Sequence, residues 1–507
     1  MIVLVMKNHL IILLVIVFFC LFGAQQASAH ATPISYEPEA SSLLEKMPQQ
    51  VRIYFSERIE QGASGIIVYG PDGSRVDNDD AVIDSRNARF YGLHMRDGGQ
   101  GTYTVSWQVV SSDDGHFTKG AFSFSVGKET KGAAGNQVQI QHITTVPQAA
   151  TIGIELVGQA IIVGVLVLFA LLWRSFRRRF GKDAAVYETM VQGRFTLLLA
   201  AGVVLIVMGA ISFIVLKTFD LQQLRPGDFL ATLKTFLNTV DGSYALYRAV
   251  GAIILGVLFF TTRKFIYQSE KISRSEWFLF GMMLLILFNR ARVSHAAASH
   301  FYPSFSILVN FLHLIFKELW VGGLVVLSVA VAPLLLRAKN WFHFAFFSTA
   351  FSRLASVAFG LTGITGMYIV WLHLKSPQYI FSTQWGSRFI VLSVFGGILF
   401  IVRLYHQFLV DKSTLTVCGG SAKPKAKRMV SWAAFTLPLE MLVGVALLFV
   451  TSFIIITTPP YASEKYLFDK SAISQGMEIV MSVHPYEQTR FLITAKDAQK
   501  QTEIQLT

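Results

Sequence analysis

At 507 residues, with 53% hydrophobic and only 15% charged side chains, the chain lacks the polar surface a soluble protein of this length requires. Its formal charge of +13 gathers in short basic runs between apolar segments, so it reports membrane topology and not nucleic-acid binding.

In chain order, Lys7, His9 and the apolar run over residues 10–23, then Gln25-Gln26 and Ala27-Ser28-Ala29, predict a secretory signal over residues 1–29. An uncleaved anchor is the alternative. Val17-Phe18-Phe19 are too bulky for lipoprotein processing at Cys20, which then leaves with the signal. The mature chain keeps Cys418 alone, which excludes an internal disulfide and a thiolate-pair metal site. A metal must therefore use His, Met, carboxylate or backbone groups.

Residues 30–128 alternate short apolar-polar runs with turn signals such as Pro71-Asp72-Gly73 and Asp97-Gly98-Gly99. Strands are predicted at 51–55, 65–69, 103–107 and 122–126, each with one buried face, which together suggest an extracytoplasmic all-β sandwich. Residues 129–150 read as a linker. From 151 to 456 the pattern becomes long apolar runs of roughly 20 residues, the length that crosses a bilayer. Eight are expected, near 151–173, 195–216, 246–262, 276–290, 307–335, 354–374, 388–405 and 431–456, giving an all-α polytopic membrane bundle.

Arg174, Arg177, Arg178, Arg179 and Lys182 place the end of the first span in the cytoplasm. Arg263-Lys264, Arg337 with Lys339, and Lys423, Lys425, Lys427 and Arg428 fall on the same side. Arg290 and Arg292 run against this trend and are expected to be functional or interfacial. Eight spans put the N-terminal domain and the tail, residues 457–507, outside the cell membrane. Two strand-like runs, 477–483 and 491–494, are expected in that tail.

Cleavage after Ala29 makes His30 the N-terminus, where an α-amine and an imidazole on one residue chelate a metal together. Asp114-Gly115-His116 adds a carboxylate and a second imidazole, which share one face if the segment is extended. Nitrogen and oxygen donors of this kind suit Cu(II). A plain hairpin turn at Asp113-Asp114-Gly115 with a surface His116 is the bland alternative.

Tyr103-Thr104-Val105-Ser106-Trp107, Ser111 to His116, and Gly120-x-Phe122-x-Phe124-x-Val126 resemble the CopC family of extracytoplasmic copper-binding proteins. His30-Ala31, Pro48 and Val51-x-Ile53-x-Phe55-Ser56-Glu57 resemble its start. The resemblance implies an immunoglobulin-like or cupredoxin-like sandwich with His30, Asp114 and His116 as Cu(II) ligands. Glu57 would be a fourth donor or a support behind them. Met47 and Met95 are isolated, so a methionine Cu(I) site is not expected.

Ser294-His295-Ala296, and the run from His313 through Trp320 to Gly322-Gly323, resemble the CopD family of membrane copper proteins. Phe351-Ser352-Arg353-Leu354 with Gly363, and Leu439-Glu440-x-x-x-Gly444, extend the match; Lys317 and Glu318 depart from it. Ionisable groups within spans face a bundle interior or a polar path. His295 and His313 are expected to receive copper near the outer mouth, with Glu440 a weaker contact; tying helices together is the alternative role. Gly322-Gly323, Gly360, Gly363 and Gly366 are expected to permit close helix contact. Met282, Met283, Met367 and Met441 read as packing.

The whole chain thus resembles CopC–CopD fusion proteins of the copper import and resistance type. The resemblance implies copper capture outside and import through the bundle, with a copper ion and the lipid bilayer as partners, an extracytoplasmic copper chaperone or reductase as a further one, and no nucleic acid. No phosphate-binding loop or aspartyl-phosphate motif is present, so no enzymatic engine is expected. Sequestration for copper tolerance and a membrane-tethered copper redox enzyme are the competing readings; the Asp114 carboxylate opposes the second by stabilising Cu(II).

Overall fold

The computed structural model describes residues 31, 33–112, 117–128, 139–142, 146–224, 228–297, 302–374, 377, 379–405, 424–457, 469–474, 477–484, 490–497 and 503–506. The predicted signal, Cys20 and Cys418 lie outside the described residues. The chain divides into two compact units, one built on the N-terminal sheets and one on the helices.

The N-terminal unit is a two-sheet sandwich. One sheet orders β1 (Pro33–Glu37), β3 (Gln50–Phe55), β6 (Phe90–His94) and β5 (Val82–Ile83). The other orders β2 (Leu43–Leu44), β8 (Phe117–Val126), β7 (Gly101–Val110) and β4 (Gly65–Tyr69), with β9 (Gln139–His142) added beside β8. All four predicted strands are present. Period-2 patterning explains them: Val51, Ile53 and Phe55 are fully buried while Arg52 between them is exposed. The two inner faces meet around Trp107, whose ring stands edge-on to Phe55 at 5.4 Å, with Tyr91, Tyr103, Phe122 and Phe124 filling the layer. Burial of each such side chain stabilises the sandwich by about 1.5–3 kcal/mol. β9 falls inside the segment expected to be linker; a run of alternating Gln, Ile and His carries too weak an apolar signal to be read as a strand alone.

A buried carboxylate pins the turn after β4. Asp77 accepts hydrogen bonds from the backbone N–H of Val68 at 2.8 Å and of Asp79 at 2.9 Å, and Arg75 pairs with it at 2.8 Å. Burial alone would raise the Asp77 pKa, but these donors and the Arg75 charge outweigh it and hold the carboxyl below its usual range.

The helical unit runs α1 (Val146–Val167), α2 (Arg174–Leu224), α3 (Phe229–Leu237), α4 (Val240–Gln268), α5 (Arg274–Arg292), α6 (Pro303–Val326), α7 (Ala332–Arg337), α8 (Trp341–His373), α9 (Tyr379–Ser382), α10 (Gln384–Tyr405) and α11 (Pro424–Ile455). Among the described residues, six helical stretches are long and apolar enough to cross a membrane. The first, Val146–Gln222, contains two of the predicted spans and loses helical geometry at Phe180 and Gly181 between them. The predicted span at 276–290 is α5, a 19-residue helix whose Arg274, Glu276, Arg290 and Arg292 keep it out of those six. On α4, Val250, Ile253, Ile254 and Val257 form an exposed apolar stripe, which suits contact with lipid.

α1 is the hub. It is buried on every side, as its almost unbroken apolar sequence requires, and packs against α2, α6 and α11. α1 and α6 approach so closely that a Cβ on Gly322 would collide with the Ala160 carbonyl, and one on Gly164 with the Gly322 backbone. Gly323 faces Phe351 in the same way. Gly360 and Gly363 differ from expectation: a Cβ there meets nothing within 4 Å, so neither serves close packing. Each of α1 and α6 passes into a π-helical turn, Leu168–Trp173 and Leu327–Val331.

The tail forms a four-stranded antiparallel sheet of β10 (Asp469–Ser474), β11 (Met477–His484), β12 (Arg490–Asp497) and β13 (Glu503–Leu506), in sequence order. The two expected runs are its central strands.

Candidate metal centre

The sandwich site rests on how its chain segments are anchored. Ala31, next to His30, is fully buried, and its carbonyl accepts a 2.8 Å hydrogen bond from Thr118 Oγ1, two residues beyond His116. From there β1 begins at Pro33, opposite Phe55 on β3, and Glu57 follows two residues after Phe55. Glu57 is fully buried and accepts a 2.5 Å hydrogen bond from Ser111 Oγ. Ser112 N–H donates to the Arg58 carbonyl at 2.8 Å, and Ser111 bridges to Ile59. Val110 faces Phe117 across β7 and β8, the last pair of that ladder before the segment that carries Asp114 and His116 in sequence. His30, Asp114 and His116 themselves lie outside the described residues. Among the described residues, no three His, Cys, Asp or Glu side chains gather as a metal-ligating group.

A buried carboxylate is costly unless donors or a cation compensate it. The hydrogen bond from Ser111 Oγ offsets part of that cost at Glu57.

The membrane residues are anchored differently. His295 follows α5 and is buried; Ser294 beside it accepts a 2.8 Å hydrogen bond from Asn310 Nδ2 on α6, one turn before His313. His313 Nδ1 lies 3.0 Å from Thr365 Oγ1 on α8. The Thr365 hydroxyl donates to the Leu361 carbonyl at 2.7 Å, which leaves its oxygen able to accept from His313 Nδ1. Gly366 is where this ring fits, a Cβ there falling 3.3 Å from His313 Cε1.

His295 packs edge-on against His373, with ring centres 5.7 Å apart. Sequence reasoning left His373 without a role, because nothing in the spacing links the end of α8 to the segment after α5. Glu440 is buried on α11, two residues after Pro438. Met283 is buried and Met367 is half exposed.

Arg290, expected to be functional or interfacial, is part of a buried ion cluster. Glu155 on α1 accepts hydrogen bonds from Arg248 Nε at 2.6 Å, Arg290 Nη2 at 3.3 Å and Gln159 Nε2 at 2.9 Å. Arg292 alone of that pair is exposed. Lys317 and Glu318 are likewise buried, and pair with each other at 3.3 Å. Toward the predicted cytoplasmic end, Arg174 forms a two-pronged pair with Glu276 at 2.7 Å on each prong.

The sequence pattern of the CopC domain matches residues 34–127. The chain is 25% identical over 495 residues to the copper transport protein CutJ of Bacillus subtilis (strain 168), covering 93% of this chain and 82% of that protein. Over 99 residues it is 36% identical to protein YobA of Escherichia coli (strain K12), covering 19% of this chain and 79% of that one. Among solved structures, CopC from Methylosinus trichosporium OB3b is 25% identical, covering 21% of this chain and 100% of that chain with a TM-score of 0.19. The copper resistance protein PcoC of Escherichia coli is 26% identical, covering 19% and 98%, with a TM-score of 0.17.

Proposed function

We propose, on the premise that this chain belongs to the CopC–CopD fusion copper proteins, that it acquires copper in two stages. Copper transport or resistance is the role of such a chain; capture followed by import is the finer reading. In the first stage, residues 30–128, outside the cell, take Cu(II) on His30, Asp114 and His116, with Glu57 as a fourth donor or a support. In the second, the ion passes to His295 and His313 at the outer mouth of the helical unit and moves inward. An eight-span topology, with the sandwich and tail outside, accompanies this reading. An extracytoplasmic chaperone or reductase is the partner class that would deliver the ion or set its oxidation state.

The observation that carries the proposal is the convergence of anchors in the sandwich. The residue after His30 is bonded to Thr118, and Glu57 to Ser111, so the flanks of all the predicted ligands are tied to neighbouring strands. Copper accumulation by cells carrying the His295→Ala, His313→Ala double variant tests the import stage; accumulation at the wild-type level overturns it. Cu(II) affinity of the full chain, compared with a form bearing one extra residue before His30, tests the capture stage. Equal affinity of the two forms removes the amine chelate. If deleting the gene makes cells sensitive to copper instead of starved for it, sequestration replaces import.

A further inference from the structure

We propose that His295 and His373 together form a two-coordinate Cu(I) site at one end of the helical unit. The pair joins the segment after α5 to the last residue of α8. Both rings are buried, at 7% and 3% exposure, and His373 Nδ1 has no hydrogen-bond partner among the described residues. A buried imidazole nitrogen without a partner is costly, and a metal ion compensates it.

The spacing fits one bridging ion. Metal–imidazole bonds of about 2 Å set two rings that face each other across an ion roughly 6 Å apart, centre to centre. The observed centre-to-centre separation is 5.7 Å with the ring planes at 81°, and linear two-coordination leaves each ring free to turn about its nitrogen–metal bond, so the angle between the planes is not constrained. Cu(II) and Zn(II) seek four or more ligands, and no cluster of three or more His, Cys, Asp or Glu is found among the described residues. A monovalent d10 ion accepts two. The cost of burying an ion rises with the square of its charge, which favours Cu(I) over Cu(II) between two neutral rings. His373 closes a 33-residue helix, whose C-terminal end carries partial negative charge and attracts a cation. The electron that converts captured Cu(II) to Cu(I) comes from the extracytoplasmic reductase class named above; the pair itself only binds.

This site rests on the reading of the chain as a copper carrier, and the two fail separately. The test uses the full-length chain in detergent with His116→Ala to silence the sandwich, titrated with Ag(I), and with Cu(I) under ascorbate against a chromophoric competitor. We expect one equivalent bound with two nitrogen neighbours by X-ray absorption. His295→Ala and His373→Ala are each expected to weaken it by about tenfold or more, whereas His94→Ala on the sandwich surface leaves it unchanged. His373→Gln, which keeps size and polarity, separates ligand loss from misfolding: weaker binding at an unaltered melting temperature supports the site. Unchanged affinity in His373→Ala, or a sulfur-containing or four-coordinate environment, overturns it. If His373 variants bind normally while the His295, His313 double variant loses uptake, the site falls and import stands. If the pair binds Cu(I) and no variant alters uptake, the site stands and import falls.

Discussion

Thr118 Oγ1 donates a 2.8 Å hydrogen bond to the carbonyl oxygen of Ala31, with both residues fully buried. This single bond ties the strand that follows His116 in sequence to the residue that follows His30.

Thr118→Val keeps the shape and removes the donor. It leaves the Ala31 carbonyl buried without this partner, at a cost of about 1–3 kcal/mol. Cu(II) affinity of the full chain is expected to fall with it, while Thr104→Val, on the neighbouring strand β7, leaves affinity unchanged. Competition titrations on both variants decide whether the bond serves the site or only the fold.

Asp77 is expected to make the sandwich lose stability in acid. Its carboxyl is held below the usual range in the folded state, so the stabilisation is present above the unfolded pKa of about 3.9 and is lost as pH falls through the folded value. Asp77→Asn is expected to lower stability at neutral pH and to flatten the acid limb below about pH 4. Acid titration followed by tryptophan fluorescence, wild type against variant, measures both effects; parallel acid limbs would contradict the assignment.

Gly322→Ala is expected to disrupt the helical unit, because the added methyl collides with the Ala160 carbonyl on α1 and rigid backbone lies on both sides. Gly360→Ala, where nothing lies within 4 Å, is expected to be neutral or slightly stabilising through higher helix propensity. Melting temperatures of the two variants in detergent should diverge sharply.

Glu155→Gln removes the carboxylate that holds Arg248 and Arg290 inside the bundle. Arg248 is fully buried, so the change leaves uncompensated charge and is expected to cost about 3–5 kcal/mol. Glu155→Gln with Arg248→Gln should recover part of that loss, and a double-mutant cycle on melting data reads the coupling.

The strands at 51–55, 65–69, 103–107 and 122–126 were legible because alternation along a strand is a local property, and Val51, Ile53 and Phe55 satisfy it without reference to the rest of the chain. The apolar runs were legible for the same reason, since a bilayer sets their length. Sequence alone likewise showed that the chain holds only two cysteines, and it drew attention to Glu57, His295 and His313.

Tertiary structure decided which of these residues meet. Gly360 and Gly322 look alike in sequence, yet only Gly322 lies where two helix backbones touch. Arg290 read as an outlier of the charge pattern until packing brought it to Glu155, and His373 had no role until its helix ended beside His295. Periodicity records which face of an element is buried, but the partner across the interface is chosen by packing between segments distant in sequence, and no local pattern encodes that.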